Sequence, residues 1–285
     1  MIANTHYGYV GKSKALKFTY TGNYNQRDDG VVELLTSGTL VFLNPATIDI
    51  FCVGGGGCGG NPSTVTTGAS YGAGGGAGGY TATARKQAVT GSYNITIGNG
   101  STQSAVAGER TSFGTLLSAA GGNSGHVGAV SSSTGNDVLA GKDGGSGSGG
   151  GVSSNSGYGT GGSDGGNGET GYPNRATGGS GQGTTTREFG EATGKLYAGG
   201  GAGGRAMASQ TPIVSMGGAG GGGTGGFIDT SGSASTALRQ APTAGGTNTG
   251  GGGGGGVGYR SSSSKSLYIQ GASGGSGICC FRAAK

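Results

Sequence analysis

Ile48-Asp49-Ile50-Phe51-Cys52-Val53-Gly54-Gly55-Gly56-Gly57-Cys58-Gly59-Gly60 joins two kinds of chain. The first six residues are apolar enough for a strand buried on both faces. The rest have almost no side chain to bury. Helix is a poor choice for them, because each interior glycine costs about 1 kcal/mol relative to alanine. A pleated sheet gains little from residues with nothing to pack. The junction therefore predicts a β-strand that hands the chain to a glycine run.

The same contrast extends in both directions. Glycine supplies 77 of 285 residues, while only 31% are hydrophobic and 10% charged. That leaves too few large apolar side chains for the core of an ordinary α/β enzyme. With 5 prolines and no sustained Gly-X-Y period, collagen is excluded as well. Upstream, Leu16, Phe18 and Tyr20 alternate with polar neighbours, and Gly38 to Leu43 reads as a further strand. Asn44-Pro45 reads as a turn before Thr47 to Val53. Downstream, Tyr80 to Arg85, Ser92 to Ile97, Thr111 to Ala119, Ser266 to Ile269 and Gly277 to Arg282 are candidate strands. Apolar strands near both ends predict one sheet system closed by the last of them.

About ten glycine-dense runs lie between, near 54–60, 72–79, 121–128, 141–151, 157–168, 178–183, 199–204, 217–226, 245–258 and 271–277. A flexible linker does not alternate this regularly with polar loops and then return to an apolar strand. The extended left-handed helix has about three residues per turn and rises about 3.1 Å per residue. It makes no internal hydrogen bonds, so its N–H and C=O groups need neighbouring rods. The expected fold is mainly β with irregular structure and almost no α-helix. It combines a small β-sandwich-like sheet system with a bundle of about ten polyglycine II helices. Residues 1–47 form an N-terminal attachment or β region, and 48–285 a glycine-rich domain.

Most catalytic chemistry is missing. The net charge of +5 is spread thinly, with no basic stripe for nucleic acid. Lys12, Lys14 and Lys17 read as a solvated strand face. No secretory h-region and no apolar run near the ~20 residues of a membrane span is visible. Cys52, Cys279 and Cys280 read as small buried hydrophobes with free thiols, and Cys58 lies in a glycine run. A zinc site fails on spacing, since adjacent Cys279 and Cys280 would point to opposite faces of a strand. Gly11-Lys12-Ser13 lacks the earlier glycine of a P-loop, which is His6 here. His6 and His126 have no carboxylate and nucleophile beside them in sequence. The 12 acidic residues are scattered. No enzyme activity, metal or cofactor is expected.

Several segments resemble a known family. Ile48 to Gly57 resembles the start of the glycine-rich domain found in many phage tail proteins. Gly74-Gly75-Gly76-Ala77-Gly78-Gly79-Tyr80, Tyr93-Asn94-Ile95-Thr96-Ile97-Gly98, Thr111-Ser112-Phe113-Gly114, Ala119-Ala120-Gly121-Gly122 and Gly190 to Gly200 follow in its order. Gly274 to Arg282 is similar to its closing strand, with cysteines in place of the common Val or Ile. Gly8 to Ala15 is similar to short attachment repeats of some Gram-positive phage tail proteins. In architecture, the distal adhesins of T-even-like phages are similar too. The extracellular glycine-rich domain of anaplastic lymphoma kinase has similar runs, but this chain lacks its disulfides and kinase region.

The resemblance implies a virion protein, assembled in the bacterial host cytoplasm and placed at a tail fibre or tail tip. Its partners would be other tail, baseplate or fibre proteins and a bacterial surface glycan or protein. It would be a homotrimer or the cap of a trimeric fibre. Recognition belongs on loops over a rigid scaffold, and exposed Tyr and Arg are enriched in binding hot spots. Tyr158, Tyr172, Arg175, Phe189, Phe227, Arg239, Tyr259 and Arg260 are the candidate receptor-binding residues. The alternative is a purely structural tail component that serves as a spacer or assembly module.

Overall fold

The computed structural model of the chain describes residues 6–7, 16–65, 70–125, 127–130, 141–151, 166–169, 186–207, 215–231, 239–262 and 265–285. The Gly8 to Ala15 motif, His126, Tyr158, Tyr172, Arg175 and the run near 178–183 lie outside the described residues. The protein is mainly β. Its strands are β1 (His6–Tyr7), β2 (Lys17–Tyr20), β3 (Tyr24–Gln26), β4 (Val32–Leu34), β5 (Gly38–Val53), β6 (Asn61–Val65), β7 (Ser70–Gly72), β8 (Thr81–Thr96) and β9 (Thr111–Phe113). They continue as β10 (Leu117–Ala119), β11 (Val127–Val130), β12 (Arg205–Met207), β13 (Phe227–Asp229), β14 (Arg239–Gln240), β15 (Val257–Ser262), β16 (Lys265–Ile269) and β17 (Ile278–Ala283). The one helical element among the described residues is a 3₁₀ turn at Glu188–Gly190.

Nine strands form one antiparallel sheet in the order β10-β9-β8-β5-β17-β4-β3, with β2 on β5 and β1 on β2. β5 and β8 are each 16 residues long and pair from Val53–Thr81 to Gly38–Ile95. Asn44-Pro45 does not reverse the chain. It lies inside β5, where the register shifts between Phe42 and Ala46. Proline cannot donate to the ladder, and Gly91, opposite Phe42, has φ 70°, which glycine adopts without strain. The pair bends there. Both ends of β5 then return to Gly277, which precedes β17. Ile278 faces Val53, and the Gly277 N–H bonds the Gly98 carbonyl at 2.8 Å. Next to Gly98, the Ile97 N–H bonds the Ser37 hydroxyl. The sheet thus folds over itself into two layers. The boundary drawn at residue 47 falls within continuous β5.

Alternation along β5 decides what each face does. Leu40, Phe42, Ile48, Ile50 and Cys52 enter a core shared with Ile95, Phe113, Cys279 and Phe281. The Phe281 ring meets Phe18, Phe42 and Phe113 edge-on at 5.3, 5.7 and 6.3 Å. Such pairs add about 0.5–1.5 kcal/mol each beyond their burial. On the other face, Phe51, Val53, Ile278 and Cys280 pack with Phe189 and Tyr197. Cys279 and Cys280 therefore do point to opposite faces. All four cysteines are buried free thiols.

The described glycine runs outside the strands bond to one another with a period of three. The N–H groups of Gly54, Gly57 and Gly60 donate to Tyr80, Ala77 and Gly74 at 2.9–3.0 Å. Those of Gly56 and Gly59 donate to Gly275 and Ala272. In the next run, Ala73, Gly76 and Gly79 donate to Gly256, Gly253 and Gly250, while Gly75 and Gly78 turn to Gly149 and Ser146. Every third residue thus serves the same neighbour, and one run bonds to several. These bonds satisfy buried backbone groups that would otherwise each cost about 1–3 kcal/mol. Two runs poorer in glycine, Gly98 to Ser101 and Ala105 to Glu109, join the same network through Gly56, Gly125 and Gly122 carbonyls.

Residues 186–198 strap across the second face of the sheet. Arg27 forks onto Glu188, with Nη1–Oε1 2.9 Å and Nη2–Oε2 2.6 Å. Arg282 forks onto Glu191 at 3.0 and 2.5 Å, also reaches Asp49 Oδ2, and lies 4.1 Å from the Phe189 ring centre. Hydrogen bonds from Arg282 hold Glu191 down at about 2, against opposition from partial burial. Glu33 is also lowered: burial opposes this, but an Asn25 hydrogen bond and the Lys195 and Arg27 charges outweigh it. Carboxylates lowered by folding stabilise the protein above their unfolded values, near 4.3 for glutamate. That stabilisation is lost as pH falls from about 4.5 towards about 2. The thermal midpoint measured from pH 6 to pH 2 is expected to fall mainly in this window. Glu191→Gln is expected to flatten that fall.

Candidate functional site

The hydrogen-bond directions give the molecule two ends. Residues 54–60 leave β5 and enter β6, and residues 73–79 return antiparallel from β7 to β8. Residues 250–256 run antiparallel to 73–79 and enter β15, while 271–277 return from β16 to β17. Gly201 and Gly204 bond Gly76 and Ala73, so β12 begins beside the β7 end. Gly199, Ala202 and Arg205 bond Gly220, Gly223 and Gly226, which places β13 alongside β12. Gly122 and Gly125 run parallel to Gly55 and Cys58, so β11 emerges beside β6. Among the described residues, the eight strands outside the large sheet, β6, β7 and β11 to β16, thus gather at the end away from it. The first and last strands of that sheet lie at the opposite end. Phe18 of β2 faces Phe42 near the bend, and the Ala284 N–H bonds the Thr47 carbonyl at 3.0 Å.

The far end is built as three small sheets: β11 with β6, β12-β13-β14, and β16-β15-β7. Two of them share a small core of Ala206, Ile228, Val257 and Tyr259, with Leu267 and Ile269 packed against it. Tyr259 turns its hydroxyl to the Thr230 carbonyl at 3.4 Å. Asp229 accepts the Ser231 N–H at 2.9 Å and its hydroxyl at 2.7 Å, which fixes the turn after β13. Arg239 is exposed opposite Ile228, and Arg260 is half-buried opposite Ser266. The result is a mixed polar and apolar platform. Among the described residues no group of three or more His, Cys, Asp or Glu could hold a metal, and no helix is long and apolar enough to cross a membrane.

The structure brings together four of the candidate residues: Phe227, Arg239, Tyr259 and Arg260 all lie at this end. Phe227 is fully buried and Tyr259 is 9% exposed, so both mainly support the platform. Phe189 lies at the other end, buried on the inner side of the strap against Phe51 and Arg282. The polar run Arg187-Glu188-Phe189 reads as an exposed loop. Its φ of 52° turns the Phe189 ring inward instead. Tyr158, Tyr172 and Arg175 fall outside the described residues. Half-exposed Tyr268 in β16 also belongs to the far end, although the sequence marks it only as part of a strand. Alternation in Ser266-Leu267-Tyr268-Ile269 shows which residues share a face, but not which end of the molecule they occupy.

No curated protein and no solved structure compared with the chain matches it. One family does. Its model, described as a glycine-rich domain, matches residues 36–284. That span takes in β5, every described glycine run and all of β17 with the residue after it, and so covers the glycine-run network, while β1 to β4 precede it. The chain belongs to this family of glycine-rich domains.

Proposed function

We propose that the glycine runs are polyglycine II rods and that the chain is an adhesin of a phage or phage-tail-like particle, placed at a tail fibre or tail tip. Its far end would meet a bacterial surface glycan or protein, and the large sheet would face other tail, baseplate or fibre proteins. The rod assignment draws on the period-three hydrogen bonds between neighbouring runs, the pattern that threefold helices packed side by side require. The observation that carries the adhesin function is the gathering, among the described residues, of eight short strands at one end of the glycine runs. Loops held on a rigid scaffold are where recognition concentrates. The particle would be assembled in the bacterial cytoplasm and the chain displayed on the virion.

Binding of the labelled full chain to cells of the particle's bacterial host tests this function. Wild type is expected to decorate the cells and compete with infection. The double variant Arg239→Ala, Arg260→Ala is expected to bind at least tenfold more weakly, since truncating hot-spot residues costs about 1–2 kcal/mol or more each. A folded wild type that neither decorates cells nor competes would leave the chain as a spacer or assembly module.

A further inference from the structure

We propose that Cys52 and Cys279 are a latent staple, which oxidation converts into a disulfide closing the glycine-rich region into a covalent loop. The two residues sit directly opposite each other in the antiparallel β5–β17 pair. Their sulfurs are 3.1 Å apart, and both residues are fully buried. Two sulfur atoms held at this separation need move by only about 1 Å to reach bonding distance, near 2.05 Å. Register and contact thus select this pair from the four cysteines. Cys280 faces the opposite side of β17, and Cys58 makes its own sulfur contact to the Gly59 carbonyl. The staple does not depend on the adhesin assignment.

Its position gives it consequence. Cys52 stands two residues before Gly54, where the first glycine run begins, and Cys279 stands two residues after Gly277, where the last one ends. A bond between them would enclose every glycine run. Ordering glycine costs more backbone entropy than ordering any other residue. Joining the two ends of that segment removes freedom from the unfolded chain where it is greatest.

The oxidant is a small-molecule disulfide, such as oxidised glutathione. One cysteine thiolate attacks a sulfur of the oxidant, forming a mixed disulfide and releasing one thiol. The other cysteine thiolate then displaces the second thiol and closes the Cys52–Cys279 bond. Two cysteine S–H bonds and one S–S bond are lost, one S–S bond is gained in the protein, and both protons leave on the released thiols. Burial pushes the Cys279 thiol well above its ordinary range, so the folded reduced chain resists this exchange. Exchange during folding meets no such barrier.

Refolding the full chain from denaturant with oxidised glutathione, or separately with a reductant, tests the staple. The oxidised product is expected to weigh 2 Da less than the reduced one, through loss of two hydrogens, and its non-reduced digest to contain one crosslink, Cys52 to Cys279. Its thermal midpoint is expected to rise by about 5–15 °C, given the long closed loop. The double variant Cys58→Ser, Cys280→Ser is expected to keep the crosslink, while Cys279→Ala loses it. Four free thiols after oxidative refolding would overturn the proposal. So would a crosslink to Cys58 or Cys280, or an unchanged midpoint in the crosslinked chain.

Discussion

Gly76→Ala is expected to abolish cooperative folding of the glycine-rich region, or to lower its thermal midpoint by about 10 °C or more. One methyl group suffices because of where it would go. A Cβ at Gly76 would lie closer than 3.0 Å to the Gly57 carbonyl of the adjoining run. The clashing atom is backbone, which cannot rotate aside. Gly76 also donates to Gly253 and accepts from Gly201, each at 2.8 Å, so a shift to relieve the clash strains two further runs. The expected loss exceeds about 4 kcal/mol, beyond ordinary overpacking. The next residue, Ala77, already carries a methyl group in full burial, so alanine itself is not the difficulty. Gly91→Ala supplies the contrast. Its φ is 70°, but a Cβ there meets nothing within 4 Å, so only backbone strain of about 1–2 kcal/mol is expected. Equal losses in the two variants, measured by thermal unfolding, would show that the close approach of the runs does not matter.

Arg282→Ala is the second large effect, at about 3–5 kcal/mol. Arg282 is 6% exposed and serves Asp49, Glu191 and the Phe189 ring together. Its removal leaves buried Asp49 with Arg85 as its remaining ion-pair partner among the described residues, and unties from Phe51 the strap that carries Phe189 and Tyr197. Lysine keeps the charge but not the forked geometry or the flat face over the ring. Arg282→Lys is therefore expected to fall between wild type and Arg282→Ala. Denaturant midpoints should rank the three proteins in that order, with little change in slope if the unfolded state is unaffected.

The strands were legible in the sequence because β5, β8 and β17 alternate or run apolar as half-buried and buried strands must. Their joining was less legible. Asn44-Pro45 looks like any turn, and only the tertiary fold turns it into a bend within a strand. Likewise, Tyr80 to Arg85 and Ser92 to Ile97 belong largely to one strand, Thr81–Thr96. Thr111 to Ala119, in contrast, splits into the β9–β10 hairpin. Glycine density located the runs but missed Ala105 to Glu109, whose place in the network is set by main-chain bonds rather than composition. The two ends of the molecule could not be read at all from the sequence. Assigning them needs the direction of each run relative to its neighbours, and glycine carries no side-chain pattern to reveal it. For the same reason Phe189 and Arg239 look alike as loop residues, although they lie at opposite ends.

The central claim is that glycine runs without side chains are held in place by main-chain hydrogen bonds to several neighbouring runs. Amide hydrogen exchange resolved at Gly57, Gly76 and Gly253 tests it most directly. These amides are expected to exchange as slowly as those of Phe51 and Cys280 in the paired strands β5 and β17, and to become exposed only in global unfolding. Exchange at the rate of an unstructured peptide at these glycines, with β5 and β17 still protected, would contradict it.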